Sequence, residues 1–229
     1  MIGRTALSVL ALLGLATTAL CSQPVVVIDP GHPAGPRDPG LKGKKLSEVQ
    51  ANFHIATLLV KLLKTQGITA IITRPDIRLQ MTNKRRAEIA NWAKADFFVR
   101  LHCDQTTGSG YAVIYPAAQG TAPDGQKGPG KQVIVASAKM ASLFHKAMAS
   151  SLKGELLDNG VKTDAQTPVG AKQGALTGSI YSQVPTILVN MVVLGSAHDE
   201  AWISNRKNVP KLVEALDKGV LAALEMNQE

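Results

Sequence analysis

The chain has 229 residues, 45% of them hydrophobic but only 4% aromatic, and its formal net charge is +8. This length and composition fit one globular domain whose core is built from Ala, Val, Leu and Ile, and they exclude a disordered chain. The positive charge favours an anionic partner such as a membrane surface or an acidic polymer. Because the basic residues are not interleaved with aromatic ones, nucleic acid is not expected.

The N-terminus has the layout of a secretory signal peptide, with Arg4, an apolar stretch and then small residues within residues 1–23. We therefore expect an exported monomer whose domain spans residues 24–229, located in the periplasm, in the cell envelope or outside the cell. The apolar stretch is shorter than the roughly 20 residues of a membrane span, so no span is expected after cleavage. An uncleaved anchor and a lipid on Cys21 are the alternatives. If Cys21 is lost with the leader or carries a lipid, Cys103 has no disulfide partner.

The rest of the chain alternates between short apolar runs and segments with helical spacing. Ser47 and Thr82 are candidate N-caps, and Gly67 is a helix stop. Alternating elements predict an α/β fold with a twisted, largely parallel or mixed sheet and helices on both faces. In chain order, strands are predicted at 25–29, 69–74, 96–104, 110–117 and 186–194, helices at 47–67, 82–95, 133–153 and 209–226, and a Gly/Pro/Lys loop at 117–132.

Polar side chains gather where such sheets bind ligands, at the carboxyl ends of the strands. His32 follows the first strand, and His102 lies near the end of the strand 96–104. Asp104 is two residues further on and shares a face with His102, while Glu48 opens the first helix. Two histidines and a carboxylate that leave a fourth position open are the ligand set of a catalytic zinc site, so one zinc ion is predicted.

The remaining histidines and Cys103 have structural interpretations. His54 and His145 lie inside predicted helices without partners at ligand spacing. His198 belongs to a turn that enters a helix, with Ser196 as its cap. Cys103 points to the opposite face of its strand from His102, and we interpret it as a core residue.

Several short motifs stand in a recognisable order along the chain. They are IDPGH (28–32), DPG (38–40), Glu48, TRPD (73–76), RAEIAN (86–91), AD (95–96), LHCD (101–104) and VPTILV (184–189). In order and approximate spacing they resemble the zinc-dependent N-acetylmuramoyl-L-alanine amidases of the amidase type 3 family. The resemblance implies an α/β fold, one zinc ion, and hydrolysis of the amide between N-acetylmuramic acid and the first L-alanine of the peptidoglycan stem peptide. The zinc ligands that it implies are His32, Glu48 and His102.

One position departs from this resemblance in a way that bears on catalysis. The family places a general-base glutamate at the end of the late apolar strand, in a pattern resembling PxxLVE, whereas this chain reads PTILVN and has Asn190 there. An amide cannot accept and return a proton at neutral pH, and loss of a general base typically costs roughly 10²–10⁴-fold in rate. Asp104, Asp199 and Glu200 are the candidate substitutes.

Two further departures concern the groove. The residues PAGPR follow His32 and lengthen the segment before the Asp-Pro-Gly motif, and Arg100 replaces a small polar residue of the family. Lys42, Lys44 and Lys45 precede Glu48, where they either line the groove mouth or form a solvated basic loop. The loop 117–132 is either a flap beside the site or a surface connection.

These observations leave two main hypotheses. In the first, the protein is a working amidase that uses a non-standard base or relies on zinc alone to activate water. In the second, it is an amidase-like protein that binds peptidoglycan or regulates a cell-wall amidase. A zinc hydrolase that acts on a different amide is a third. The intact ligand set favours the first hypothesis, and Asn190 favours the second.

Overall fold

The computed structural model describes residues 23–104 and 106–226. The predicted signal peptide, including Cys21, lies outside the described residues apart from Gln23, and it stays a prediction. Within the described part of the chain, no helix is both long enough and apolar enough to cross a membrane.

The described elements alternate as the sequence predicts, with small differences at their ends. The strands are β1 (Val25–Pro30), β2 (Thr69–Ile72), β3 (Phe97–Asp104), β4 (Tyr111–Tyr115), β5 (Gly120–Thr121), β6 (Lys127–Gly128), β7 (Asp158–Thr163) and β8 (Thr186–Val193). The helices are α1 (Glu48–Thr65), α2 (Asn83–Trp92), α3 (Lys131–Leu152), α4 (Pro168–Gln173), α5 (Thr177–Ile180), α6 (Ala197–Ser204) and α7 (Val209–Glu225).

Six strands form one mixed sheet in the order β2-β1-β3-β8-β4-β7. The strands β2, β1, β3 and β8 run parallel, while β4 is antiparallel to β8 and parallel to β7. The pairing of β3 with β8 sets His102 directly beside Asn190. The prediction of a largely parallel or mixed sheet is therefore confirmed, and its register joins two of the candidate site residues.

Helices pack on both faces of the sheet, as predicted. The larger core lies between one face and the helices α1, α3 and α7, and it includes the fully buried side chains Ile28, Phe97 and Val189. The smaller core lies on the opposite face, where α2 packs over β1 and β3 through Val27 and Phe98. Since alternate residues of a strand point to opposite faces, these apolar strands supply both cores.

The segment between α3 and β8 contains elements that the sequence patterns do not predict. The strand β7 reads DNGVKT, is largely exposed, and lies at the edge of the sheet, where no apolar run is required. Thr167 caps α4, whose first residue is Pro168. The loop 117–132 holds the small hairpin of β5 and β6, which packs against α5 near Ile180.

Gly219 of α7 allows α3 and α7 to approach closely. A Cβ atom at this position would lie 2.8 Å from Cδ2 of the buried Phe144 ring. At an open helical position, Gly to Ala stabilises by roughly 0.5–1 kcal/mol. Here we expect Gly219→Ala to lower the free energy of unfolding by about 1–3 kcal/mol because the core becomes overpacked. Urea unfolding measures the change.

The matched control is the same substitution in a Phe144→Leu background, where the smaller side chain leaves room for the new methyl group. A double-mutant cycle should therefore give a smaller cost for Gly219→Ala in that background. A stabilising effect of Gly219→Ala in the original chain would contradict the packing described for α3 and α7.

Candidate metal centre

The three predicted ligands lie together at the end of the parallel strands. One ligand atom from each of His32, Glu48 and His102 lies within 4.8 Å of the others. Glu48 lies between the two rings: its Oε2 is 3.6 Å from Nε2 of His32, and its Oε1 is 3.0 Å from Nδ1 of His102. The structure thus brings together the residues that the sequence singles out, and their role as ligands stays a prediction.

Local structure explains how each side chain reaches this place. Ser47 caps α1 through a reciprocal capping box with Gln50, which fixes the helix start so that Glu48 points toward the sheet edge. His32 lies in the turn after β1 with a φ of 54°, an uncommon conformation for a residue with a side chain. A Cβ atom at Gly31 would lie 2.3 Å from Cε1 of His102, so the close approach of this turn to the ring requires glycine.

The Glu48 carboxylate is buried yet remains charged. It accepts hydrogen bonds from the backbone N–H of Leu41 at 2.8 Å and of Cys103 at 3.0 Å. Burial acts to raise the pKa of Glu48, but the hydrogen bond with His102, the charge interactions with both histidines and the backbone N–H of Leu41 together lower the pKa to about 2. The carboxylate is therefore ionised at neutral pH, as a metal ligand must be.

Each histidine ring is held for metal binding by its surroundings. His32 Nδ1 lies 2.7 Å from Asp38 Oδ1, which orients the ring and leaves Nε2 facing Glu48. Burial lowers the pKa of His102 and so favours the neutral imidazole. His102 Nε2 is buried without a hydrogen-bond partner among the described residues. Two imidazoles and one carboxylate are donors that suit Zn²⁺, so the residues fit that ion.

Asp38 is a functional candidate that the sequence patterns do not single out. It belongs to the quoted Asp-Pro-Gly motif, and it also accepts a hydrogen bond from the N–H of Ala34 at 2.8 Å. The lengthened segment after His32 thus closes on Asp38 and holds the His32 turn. A carboxylate shortly after a candidate histidine ligand is the signal that could have predicted this contact.

A cleft of about 510 Å³ opens beside the three side chains on one face of the sheet. It extends from the carboxyl ends of the strands across β8, β4 and β7, because α2 covers this face only over β1 and β3. Asn190 and Asp104 both line it, as do His32 and His102. The other lining residues include Ala34, Asp38, Asn83, Arg100, Ala112, Ile114, Lys162, Gln166, Thr167, Pro168, Val169, Leu176, Thr177 and Leu188.

Two of the three candidate substitutes for the general base lie away from the cleft, so these two predictions are wrong. Asp199 is buried and accepts hydrogen bonds from Ser109 Oγ at 2.5 Å, from Gly110 N–H at 2.5 Å and from Val193 N–H at 3.0 Å. Glu200 accepts from the backbone N–H groups of Lys45 and Leu46. Neither carboxylate lines the cleft, because both tie α6 to other segments. Asp104 does line the cleft and remains a candidate.

Other sequence predictions concern the cleft and the core. Neither the basic residues Lys42, Lys44 and Lys45 nor any described residue of the loop 117–132 is part of the cleft lining, and the two interpretations of each segment stay predictions. Lys162 of β7 is the lysine that lines the cleft, and its strand was not predicted. Cys103 is buried in the larger core as predicted, and Ser196 caps α6 as predicted.

A buried cluster of charged side chains holds the turn that carries His32. Asp29, at the end of β1, accepts hydrogen bonds from Thr73 Oγ1 at 2.5 Å and from Arg86 Nη1 at 2.7 Å. Arg86 also donates to the carbonyl oxygens of Pro30 and Pro33 on either side of His32, at 2.7 and 3.1 Å. Arg86 therefore fixes the turn that carries His32. The polar Asp29 after four apolar residues was the signal for this cluster.

A His–Glu–His cluster at the edge of a mixed α/β sheet, beside an open cleft, offers donor atoms that suit a metal ion. The family model described as N-acetylmuramoyl-L-alanine amidase (Amidase_3) matches residues 26–222. The chain belongs to this family.

Individual relatives agree with this assignment. The sporulation-specific N-acetylmuramoyl-L-alanine amidase of Bacillus subtilis (strain 168) is 30% identical over 143 residues, which cover 59% of this chain and 55% of that protein. The N-acetylmuramoyl-L-alanine amidase LytC of the same organism is 24% identical, with 86% of this chain and 35% of LytC covered. The chain thus matches only part of these relatives.

Solved amidase structures have the same fold. The N-acetylmuramoyl-L-alanine amidase of Clostridium difficile 630 superposes with a TM-score of 0.70 and 26% identity, covering 89% of this chain and 97% of that one. The amidase Ami1 of Mycobacterium abscessus superposes with a TM-score of 0.71 and 22% identity, covering 88% of this chain and 98% of that one.

The hydrogen bonds of Asp199 generate a stability prediction. Burial acts to raise the pKa of this carboxyl group, but the hydrogen bonds from Ser109, Gly110 and Val193 outweigh it and lower the pKa below the ordinary 3.8. We expect Asp199→Asn to lower the free energy of unfolding by about 1–3 kcal/mol at pH 7, because buried donors lose a charged acceptor.

The sign of the pKa shift fixes the pH dependence of this effect. The stabilisation is complete above the ordinary pKa of 3.8 and is lost as the pH falls through the lower folded-state value. Urea unfolding of both proteins should therefore give a smaller difference at about pH 3 than at pH 7. A difference that stays constant over this range would contradict the role of the ionised carboxylate.

Proposed function

We propose that the protein is an exported, zinc-dependent N-acetylmuramoyl-L-alanine amidase that hydrolyses the bond between N-acetylmuramic acid and L-alanine in peptidoglycan. The observation that carries the proposal is the cluster of His32, Glu48 and His102 at the head of the cleft. Family membership supports the substrate class, and the leader-like N-terminus supports export to the periplasm, the cell envelope or the outside of the cell.

The chemistry of amide hydrolysis explains the need for this site. His32, Glu48 and His102 would hold a zinc ion, which would supply a Lewis acid for the amide carbonyl and would lower the pKa of water toward about 7. The protein contributes the alignment: Asp38 orients His32, and the N–H groups of Leu41 and Cys103 hold Glu48. Because these partners are fixed before substrate arrives, little reorganisation is needed at the moment of reaction.

Asn190 and Asp104 are the residues of the cleft with a proposed catalytic role. Asn190 lies beside His102 in the register of the sheet, so its Nδ2 can donate a hydrogen bond to the developing oxyanion but cannot take up a proton. Asp104 lines the same cleft and carries a carboxylate that can accept the proton of the attacking water. The proposed enzyme thus divides between two residues the work that one glutamate does in the family.

The second candidate function is an amidase-like protein that binds peptidoglycan or regulates a true amidase. The observation in its favour is Asn190, an amide at the cleft position where the resemblance places a catalytic carboxylate. In this case the cluster and the cleft serve recognition, and replacement of the amide by a carboxylate should create the missing activity.

The ligand set predicts stoichiometric zinc. After zinc loading and desalting, we expect about one zinc ion per chain by elemental mass spectrometry, as for a catalytic site with three protein ligands and an open fourth position. Asp38→Asn should weaken zinc affinity by roughly 10–100-fold because the carboxylate no longer orients His32. Glu48→Gln should weaken it further, since a charged ligand is lost while the shape of the side chain is kept.

His54→Ala is the matched control, because His54 lies on α1 like Glu48 but does not belong to the cluster of candidate ligands. Its zinc content should equal that of the unsubstituted chain. Retention of full zinc affinity in Glu48→Gln would show that the ion binds elsewhere.

The activity prediction uses purified peptidoglycan and the zinc-loaded chain. Mass spectrometry of the digest should detect free stem peptides with the unsubstituted protein and none above background with His102→Ala. Asn190→Glu restores a carboxylate next to His102, and we expect it to increase the rate by less than the roughly 10²–10⁴-fold contributed by a positioned general base, because Asp104 already supplies a proton acceptor in the proposed enzyme.

The outcomes separate the two candidate functions. Release by the unsubstituted protein that His102→Ala abolishes supports the amidase. Release by Asn190→Glu alone would overturn the proposed activity and assign the natural protein to binding or regulation. Asp104→Asn distinguishes the base: if it leaves the rate of the active protein unaltered, Asp104 is not the proton acceptor.

A further inference from the structure

Arg100 is a buried charge whose role the metal site does not explain. It lies on β3 two residues before His102, so both side chains are on the same face of the strand and line the same cleft. Only 4% of its surface is exposed. An arginine buried to this extent needs counter-charge and hydrogen-bond acceptors, because an unpaired buried charge is costly.

The described residues provide hydrogen-bond partners for only part of the Arg100 guanidinium group. Its Nη2 donates to Asn83 Oδ1 at 2.9 Å, and its Nε lies 3.5 Å from Asp29 Oδ2. Its Nη1 is buried and has no hydrogen-bond partner in residues 23–104 and 106–226. One nitrogen of a forked, permanently charged donor is thus unpartnered in a residue that lines the cleft.

The counter-charge of Arg100 comes from buried carboxyl groups. Asp29 makes the only ion pair with Arg100 in the described part of the chain, and the same carboxylate binds Arg86 at the shorter distance of 2.7 Å. The buried Asp164 adds a second charge interaction with Arg100 without forming an ion pair. Lys162 also lines the cleft and carries a positive charge.

The position of the guanidinium group is built into the fold. It packs against the backbone of Gly178 in α5, where a Cβ atom would lie 2.4 Å from Arg100 Cζ and 2.5 Å from Nη1. Any side chain at position 178 would displace the group. The neighbouring Thr177 lines the cleft and offers a hydroxyl group beside it.

We propose that Arg100 binds a carboxylate of the stem peptide, on the residue that follows the first L-alanine. This inference rests on the proposed amidase function. In an extended strand, positions two residues apart are separated by roughly 6.6 Å, and two residues of an extended peptide reach about 7 Å. A substrate whose scissile amide lies at the metal cluster therefore brings this carboxylate to Arg100, where charge-assisted hydrogen bonds to the free Nη1 bind it.

The test compares two soluble substrates that differ in one group, with the full zinc-loaded chain. They are N-acetylmuramoyl-L-alanyl-D-glutamate, with its α-carboxylate free, and the same compound with that carboxylate amidated. We expect kcat/KM to favour the free carboxylate by about 10- to 100-fold, the usual effect of a hydrogen bond between charged groups in a buried site. A ratio near one would overturn the inference.

Three variants separate recognition from structural support. Arg100→Ser should bring the ratio of the two kcat/KM values close to one, whereas general damage to the fold lowers both rates alike and leaves the ratio unchanged. Gly178→Ala keeps the charge but displaces the guanidinium group, so it should also reduce the ratio. Arg78→Ser removes an equal charge from an arginine that is 87% exposed and outside the cleft, and it should preserve the ratio.

A binding measurement keeps the inference testable if neither substrate is cleaved. Calorimetric titration of the two compounds into the full chain and into Arg100→Ser reports recognition without turnover. Selective binding of the free carboxylate that depends on Arg100 would support the carboxylate site even though the proposed amidase activity had failed. Equal binding of both compounds would overturn the carboxylate site, and turnover of both at equal kcat/KM would do so while leaving the amidase function in place.

Discussion

The site depends on one buried carboxylate, Asp29, at the end of β1. Burial acts to raise its pKa, but Arg86, Arg100 and the hydrogen bond from Thr73 outweigh that effect and hold the pKa below its ordinary value. The ionised group joins β1 to the end of β2, to α2 and to β3. Since Arg86 also fixes the carbonyl groups around His32, the position of the first proposed ligand follows from this cluster.

The proposed metal cluster and Arg100 are held by different contacts. Glu48 holds the two histidines in place, and backbone N–H groups from two different segments hold Glu48. Arg100 shares Asp29 with Arg86 and lines the cleft, and its Nη1 has no hydrogen-bond partner among the described residues. A single strand, β3, thus carries both the proposed metal ligand His102 and Arg100, the residue proposed to bind the substrate carboxylate. The spacing of residues along a β-strand therefore sets the distance between the proposed metal site and the proposed carboxylate site.

Asn190 bears on the activity of this protein and not on its fold. The strand β8 is apolar on both sides because it lies in the middle of the sheet, and Asn190 is the polar residue where it meets the cleft. Its amide is one methylene shorter than a glutamate side chain, and it can donate and accept hydrogen bonds but cannot take up a proton. The chain therefore keeps the proposed metal ligands beside the cleft but has an amide at the position where the resemblance implies a general base, which is why the proposed activity depends on how the proton is transferred.

The sequence by itself determines the order of the main strands and helices, because apolar runs, helical spacing and caps such as Ser47 and Thr82 are local signals. It also determines the residues His32, Glu48 and His102 as a set, since all three follow strand ends or open a helix at the same edge. Only the tertiary structure decides that Asp199 and Glu200 bind backbone groups instead of substrate, that β7 forms an edge of the sheet and that Arg100 faces the cleft. These features depend on contacts between residues far apart in the chain, and no local pattern encodes which distant backbone group a carboxylate will meet.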